Sequence, residues 1–234
     1  MEGKKKFLTD DRLELIVVIM LGLTALLTAW ASWIGALHGG NQATNYARSN
    51  NLASEANSEY NVAIQAISSD MMIYNEINSL QLDMMWLKAY GGDESEIDRL
   101  QEKQDELFAG NVDEHFAAAI DWAWAHYDET GEIVSPFSME GFTDSYFTTY
   151  HELIAESEAT LAQGQADNKN DDTFGLVTVI YSVVLFLYGI VSSFGNMRNK
   201  QLVCIIAGVA FLVATVLMMT LPLPDGFSIS SFFG

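Results

Sequence analysis

Two short clusters set imidazole beside carboxylate, as metal ions and acid/base catalysts require: Asp113-Glu114-His115, and His126 with Asp128 and Glu129. His151-Glu152 opens the pair that zinc hydrolases carry on one helix face, but position 155, where the second histidine belongs, is alanine. The segment 38–173 holds 26 Asp or Glu against Arg48, Lys88, Arg99, Lys103 and Lys169, so acids meet imidazoles by abundance alone. For the same reason no pair of carboxylates stands out for proton transfer. A Gly-rich phosphate loop, a Gly-x-Ser-x-Gly elbow and a cysteine cluster are all missing from the sequence. These patterns assign no catalytic residue, no metal site and no cofactor, and the expectation is a protein that is not an enzyme.

The elements that would carry such residues are set by hydropathy. Windows 15–37, 174–194 and 202–221 contain no Asp, Glu, Lys, Arg or His, and each is long enough to cross the roughly 30 Å of bilayer hydrocarbon. A buried core helix could explain one such run; three favour transmembrane helices. Lys4, Lys5 and Lys6 before the first window also suit a secretory signal, but 23 apolar residues without a small-x-small cleavage site read as an uncleaved anchor. Basic residues near membrane ends stay cytoplasmic. Lys4–Lys6 with Arg12, and Arg198 with Lys200 between the second and third spans, then place residues 38–173 and the C-terminal tail outside a plasma (inner) membrane. Trp30 and Trp33 fall where an interfacial aromatic belt is expected.

The divisions are a cytoplasmic N-terminus (1–14), the first span (15–37), an acidic extracytoplasmic domain (38–173), the second span (174–194), a cytoplasmic turn (195–201), the third span (202–221) and an outer tail (222–234). The fold class expected is all-α, with a long helical-hairpin or coiled-coil-like domain between the first and second spans. Residues 39–90 lack proline and form one helix, which Gly91-Gly92 ends by reaching the left-handed conformation. A helical hairpin follows over 93–127, with Asp93, Glu94 and Glu96 at its start and a break at Gly110-Asn111. Residues 128–138 read as a loop, and 139–173 as a last helix capped by Ser138 and loosened by Gly164 and the Asp167 to Asp172 cluster. Large aromatics, among them Trp86, Tyr90, Phe116, Trp124 and Phe142, are expected to gather in a compact head on a thinner stalk. The tail carries Phe227, Ile229, Phe232 and Phe233 and is expected to pack on the stalk base or lie in the interface.

A seven-residue repeat, Tyr46, Ala53, Tyr60, Ile67 and Tyr74, marks a helix-packing seam, with Ala56, Ala63, Ile77 and Met84 on the neighbouring line. Alanine-rich stalk helices bury little apolar area, which favours a homo-oligomer joined along that seam. In the spans, Thr24, Thr28 and Ser32, and Thr178, Ser182 and Gly189, share faces that serve close packing or line a pore. The net charge of −20 repels nucleic acid and attracts cations, while also keeping a helical domain solvated. The lone Cys204 lies in the third span, so no intrachain disulfide is expected.

The run Thr24-Ala-Leu-Leu-Thr-Ala-Trp-Ala-Ser-Trp33, Gly40-Asn-Gln-Ala-Thr-Asn-Tyr46, Trp86-Leu-Lys-Ala-Tyr90 before Gly91-Gly92-Asp93, Ser135-Pro-Phe-Ser-Met139 and Leu221-Pro222 resemble an uncharacterised group of bacterial three-span membrane proteins. The resemblance implies the same architecture and brings no site residues. The functional expectation is a self-assembling scaffold or interaction module in contact with membrane lipids. A cation channel with an acidic vestibule, and a ligand sensor acting through a partner, are the alternatives.

Overall fold

The computed structural model describes residues 10–227, so Lys4, Lys5 and Lys6, and Ile229, Phe232 and Phe233 of the tail, lie outside the described residues. Among the described residues all regular structure is helical: α1 (Asp10–Tyr90), α2 (Glu94–Asn111), α3 (Glu114–Thr130), α4 (Phe142–Ser145), α5 (Thr148–Ile190) and α6 (Met197–Met219), with single 3-10 turns at Pro136–Ser138 and Val191–Ser193. α1, α5 and α6 each contain a window long and apolar enough to cross a membrane. The described residues divide into two units: one up to Ser49 and from Glu158 onward, the other Asn50–Ser157.

In the first unit the three apolar windows pack around a shared core. α5 and the 3-10 turn after it supply two seven-spaced lines, Phe174, Tyr181 and Tyr188 beside Val177, Val184 and Val191; α6 adds Ala207, Phe211 and Ala214. α1 contributes Ala31 and Ile34. The opposite faces stay apolar and uncovered: Leu26, Phe186, Val216 and their neighbours are exposed. A helix greasy on every side belongs in hydrocarbon, where such faces cost nothing. Hydroxyls inside these windows bond to their own helix four residues back, Thr24 to Met20 O and Thr28 to Thr24 O, or across helices, as Tyr181 Oη does with Thr215 Oγ1 at 2.9 Å.

At one end of the bundle the Lys200 ammonium is 2.8 Å from Asp10 Oδ1 and 3.6 Å from Glu14 Oε1, joining the start of α6 to the first turns of α1. The hydrogen bond to Asp10 pushes Lys200 above the usual lysine range, against the opposing effect of burial. At the other end the chain after α6 folds back: Phe227 packs edge-on against Trp33 and Trp30, at centroid distances of 5.6 and 6.2 Å.

Gly39-Gly40 does not interrupt α1, since neither residue leaves the right-handed region. The helix stops where expected. Gly91 takes φ +73°, and Gly92 N–H donates to Leu87 O at 2.7 Å, closing a Schellman cap. Two expectations for α5 fail. Its start is Thr148, not Met139, because Gly141 at φ +77° and the short α4 intervene, and Ser138 bonds back to Ser135 O instead of capping a helix. The helix also runs unbroken through Gly164 and the Asp167–Asp172 cluster to Ile190, so that cluster does not loosen it.

Gly164 is required for packing. A Cβ there would sit 2.6 Å from the Tyr46 ring and 3.2 Å from Asn45 Cβ, so the two helices approach closely at this point. Gly164→Ala gains about 1 kcal/mol of helix propensity and loses about 1–3 kcal/mol to overpacking. Thermal unfolding in detergent should show a lowered midpoint. Gly110→Ala in α2, where nothing lies within 4 Å of the new methyl, should raise it.

Candidate functional site

The Asn50–Ser157 unit is organised by α3. Phe116, Ala119, Ile120 and Ala123 recur at helical spacing and form its buried stripe. Asp113 fixes the start of that helix, its Oδ1 accepting from Phe116 N–H at 2.7 Å. Gly131 at φ +74° ends it and turns the chain so that Phe137 and Phe142 meet Phe116, with ring centroids 5.6 and 5.9 Å from it. Ile77 of α1 completes the core. Only part of the expected aromatic gathering is internal: Trp86 and Tyr90 stack on each other at 4.4 Å on the surface, and Trp124 and Tyr127 are exposed.

Beside this core α2 is held differently. Its one buried residue is polar: Gln104 donates through Nε2 to Ile77 O at 3.2 Å and to Gln81 Oε1 at 3.3 Å. Its apolar residues Ile97, Leu100, Leu107 and Phe108 are half-buried. A helix docked by an amide and shallow apolar contacts leaves room. Between α1, α2 and α3 lies a cleft of about 940 Å³. Each helix turns one stripe into it: Tyr74, Leu82 and Met85 from α1, Gln101, Asp105 and Phe108 from α2, Asp121, Trp124 and Asp128 from α3. Ile133 and Val134 of the following loop close one side. The size is that of a small-molecule site, and mixed apolar and polar walls are what such sites use.

Of the residues singled out for chemistry, Asp128 lines this cleft. Asp113 is a helix cap, His115 lies 4.9 Å from the Phe142 ring, and His126 stacks on Trp122 and stands 4.0 Å from Glu132. Among the described residues no three His, Cys, Asp or Glu converge as ligands for a metal ion. Elsewhere in the unit, Tyr146 Oη donates to Asp70 Oδ2. Burial, and then the hydrogen bond and charge of Asp70, push the Tyr146 phenol well above the ordinary tyrosine range.

The seam residues fall beside the buried line instead of on it. α1 buries Ser49, Ala56, Ala63, Ile77 and Met84, while Tyr46, Ala53, Ile67 and Tyr74 are half-buried and Tyr60 is exposed. Tyr60 nevertheless meets Phe147 and Tyr150, at 5.3 and 5.4 Å. Of the hydroxyl-bearing faces, Thr24 is buried, Thr28 and Thr178 half-buried, and Ser32, Ser182 and Gly189 exposed; Ser32 and Thr178 are 3.4 Å apart.

The first unit holds a polar centre that the sequence did not announce. His38, 1% exposed, lies with Nδ1 2.8 Å from Asp167 Oδ1 and Nε2 3.2 Å from Pro222 O, its ring stacked on Phe174. A carbonyl only accepts, so the Pro222 contact puts a proton on Nε2. Asn45 donates to the other Asp167 oxygen, Gln42 to Asn168, and Asn41 and Gln163 to the carbonyl and carboxylate of Asp225. α1, α5 and the chain after α6 are thereby clasped together, with Gly35 and Gly39 giving the Asp171 carboxylate its place. The only sequence signal was His38 directly after an apolar run; its partners are 129 and 184 residues away.

Comparison with family models, curated proteins and solved structures finds no match to this chain.

Tyr146→Phe removes the bond to Asp70 and should lower stability by about 1–2 kcal/mol. Because folding raises the phenol's pKa, its contribution is fully present below about pH 10, the ordinary value, and falls as pH rises beyond. Unfolding midpoints measured from pH 8 upward should drop more steeply in the native protein than in Tyr146→Phe.

Proposed function

We propose that the chain is a non-enzymatic, membrane-anchored binding protein whose Asn50–Ser157 unit takes a small ligand between α1, α2 and α3 and passes its occupancy to a partner. The cleft carries this reading. Leu82, Met85, Trp124 and Tyr127 line it and remain exposed, so a ligand with an apolar body gains by displacing the water there. α2 is the element able to respond. It is bounded by Gly91 at positive φ and by the Val112-Asp113 break, and few buried apolar contacts make local opening inexpensive. In this reading a partner carries the output, since the segment assigned to the cytoplasm between the second and third spans, 195–201, is a short turn. Lys4–Lys6, Arg12, Arg198 and Lys200 orient the binding unit outward by the positive-inside rule.

One experiment addresses both occupancy and side. In a Cys204→Ser background, Ala109→Cys places a thiol in the cleft wall. A membrane-impermeant maleimide should label it in intact cells, and at least one of three phenylbutyl compounds bearing an ammonium, alcohol or carboxylate head should slow labelling several-fold. Labelling only after lysis reverses the orientation; labelling indifferent to all three compounds removes the ligand reading.

A second reading, self-assembly, is favoured by apolar side chains that α1 leaves uncovered: Ile64, Met71, Met72 and Trp86 are 41, 48, 67 and 65% exposed. A second copy of the chain would cover them. In mild detergent the protein should then run at a multiple of its 25.9 kDa mass, and a monomer at all concentrations excludes it.

A further inference from the structure

The charge of the cleft walls is one-sided. Asp105, Asp121 and Asp128 line it, and among the described residues no Lys, Arg or His does. Asp121, Trp124 and Asp128 lie at i, i+3 and i+7 on α3, so two carboxylates bracket one indole on a single helix face. Asp105 stands on α2 one turn before Phe108, and its Oδ1 already accepts from Gln101 Nε2 at 2.9 Å. Asp121 and Asp128 make no ion pair among the described residues.

Four ligand classes can be weighed on these walls. An anion meets three like charges. A neutral apolar molecule would strip water from the carboxylates and return nothing for it. A small inorganic cation would satisfy the carboxylates but leave Trp124, Tyr127 and Ile133 facing water, at 43, 50 and 85% exposure. An ammonium on an apolar body answers every wall at once: its charge lies between Asp121 and Asp128 over the Trp124 face, where cation–π attraction adds to ion pairing, and its body covers the aliphatic side chains. Resting on the ligand-site reading above, we infer that the cleft recognises an organic cation, an ammonium group carried on an apolar chain or ring.

The test uses the purified full chain in non-ionic detergent, titrated calorimetrically with the phenylbutyl series: trimethylammonium, primary alcohol and carboxylate heads on the same body. The ammonium should bind at least tenfold more tightly than the alcohol, and the carboxylate more weakly than either. The double substitution Asp121→Asn with Asp128→Asn, at two exposed positions, should bring the ammonium down to the affinity of the alcohol. Glu152→Gln, an exposed carboxylate outside the cleft, should change nothing. Trp124→Ala sets the background, and heat that persists in it is uptake by micelles and counts against the proposal. Equal affinity for ammonium and alcohol, or a preference for the carboxylate, overturns the cation class while leaving a ligand site in place. A loss in Glu152→Gln as large as in the double variant reduces the effect to the general field of an acidic surface and overturns it too. If none of the three compounds binds, the ligand-site reading falls with it.

Discussion

Hydrocarbon tolerates apolar surface without limit and polar atoms hardly at all, and the first unit is built within that constraint. Leu26, Phe186 and Val216 face outward uncovered, as side chains in contact with lipid do. Inside the same windows the hydroxyls of Thr24, Thr28, Thr178 and Ser182 are returned to their own helices, and no described side chain buries an unsatisfied nitrogen or oxygen. Charge appears only where the windows end. Lys200 with Asp10 and Glu14 closes one end, and His38 with Asp167 the other, so the polar interactions that specify register sit at the margins of an apolar core that by itself would let helices slide.

The Asn50–Ser157 unit is different, a small helical body outside the apolar windows that has an aromatic nucleus and no cysteine. Phe116, Phe137 and Phe142 concentrate stability on the α3 side, and α2 is left with a glutamine as its deepest contact. Uneven stability of this kind suits the proposed ligand site, in which α3 carries Trp124 and the more weakly held α2 is the wall proposed to respond. The acidity that keeps the unit solvated also gives its cleft a sign.

What the sequence reveals divides by range. Signals that act within a few residues were readable: the three apolar windows, the end of α1 at Gly91-Gly92, the acidic start of α2, where the Asp93 carboxylate proves to accept from Ser95 N–H as a cap, and the break near Gly110-Asn111. Signals that depend on a distant partner were not. The Asp167 to Asp172 stretch looks helix-breaking by composition, yet Asp167 is buried against a histidine on another helix. Of the two seven-residue lines on α1, the one with Ala56, Ala63, Ile77 and Met84 is buried within the chain and the tyrosine line is half-buried or exposed, because close helix approach buries small side chains first. The cleft was invisible for a related reason: each wall is an ordinary mixed stripe, and only three helices together make a concavity.

The clasp around His38 also sets an order of events during biosynthesis. A ribosome delivers α1 first, and His38 reaches the membrane boundary with no acceptor for either ring nitrogen. Asp167 arrives 129 residues later, and Pro222 184 residues after the histidine. The earliest apolar helix is therefore completed only once the chain beyond α6 has been made, so this contact of high sequence separation closes last.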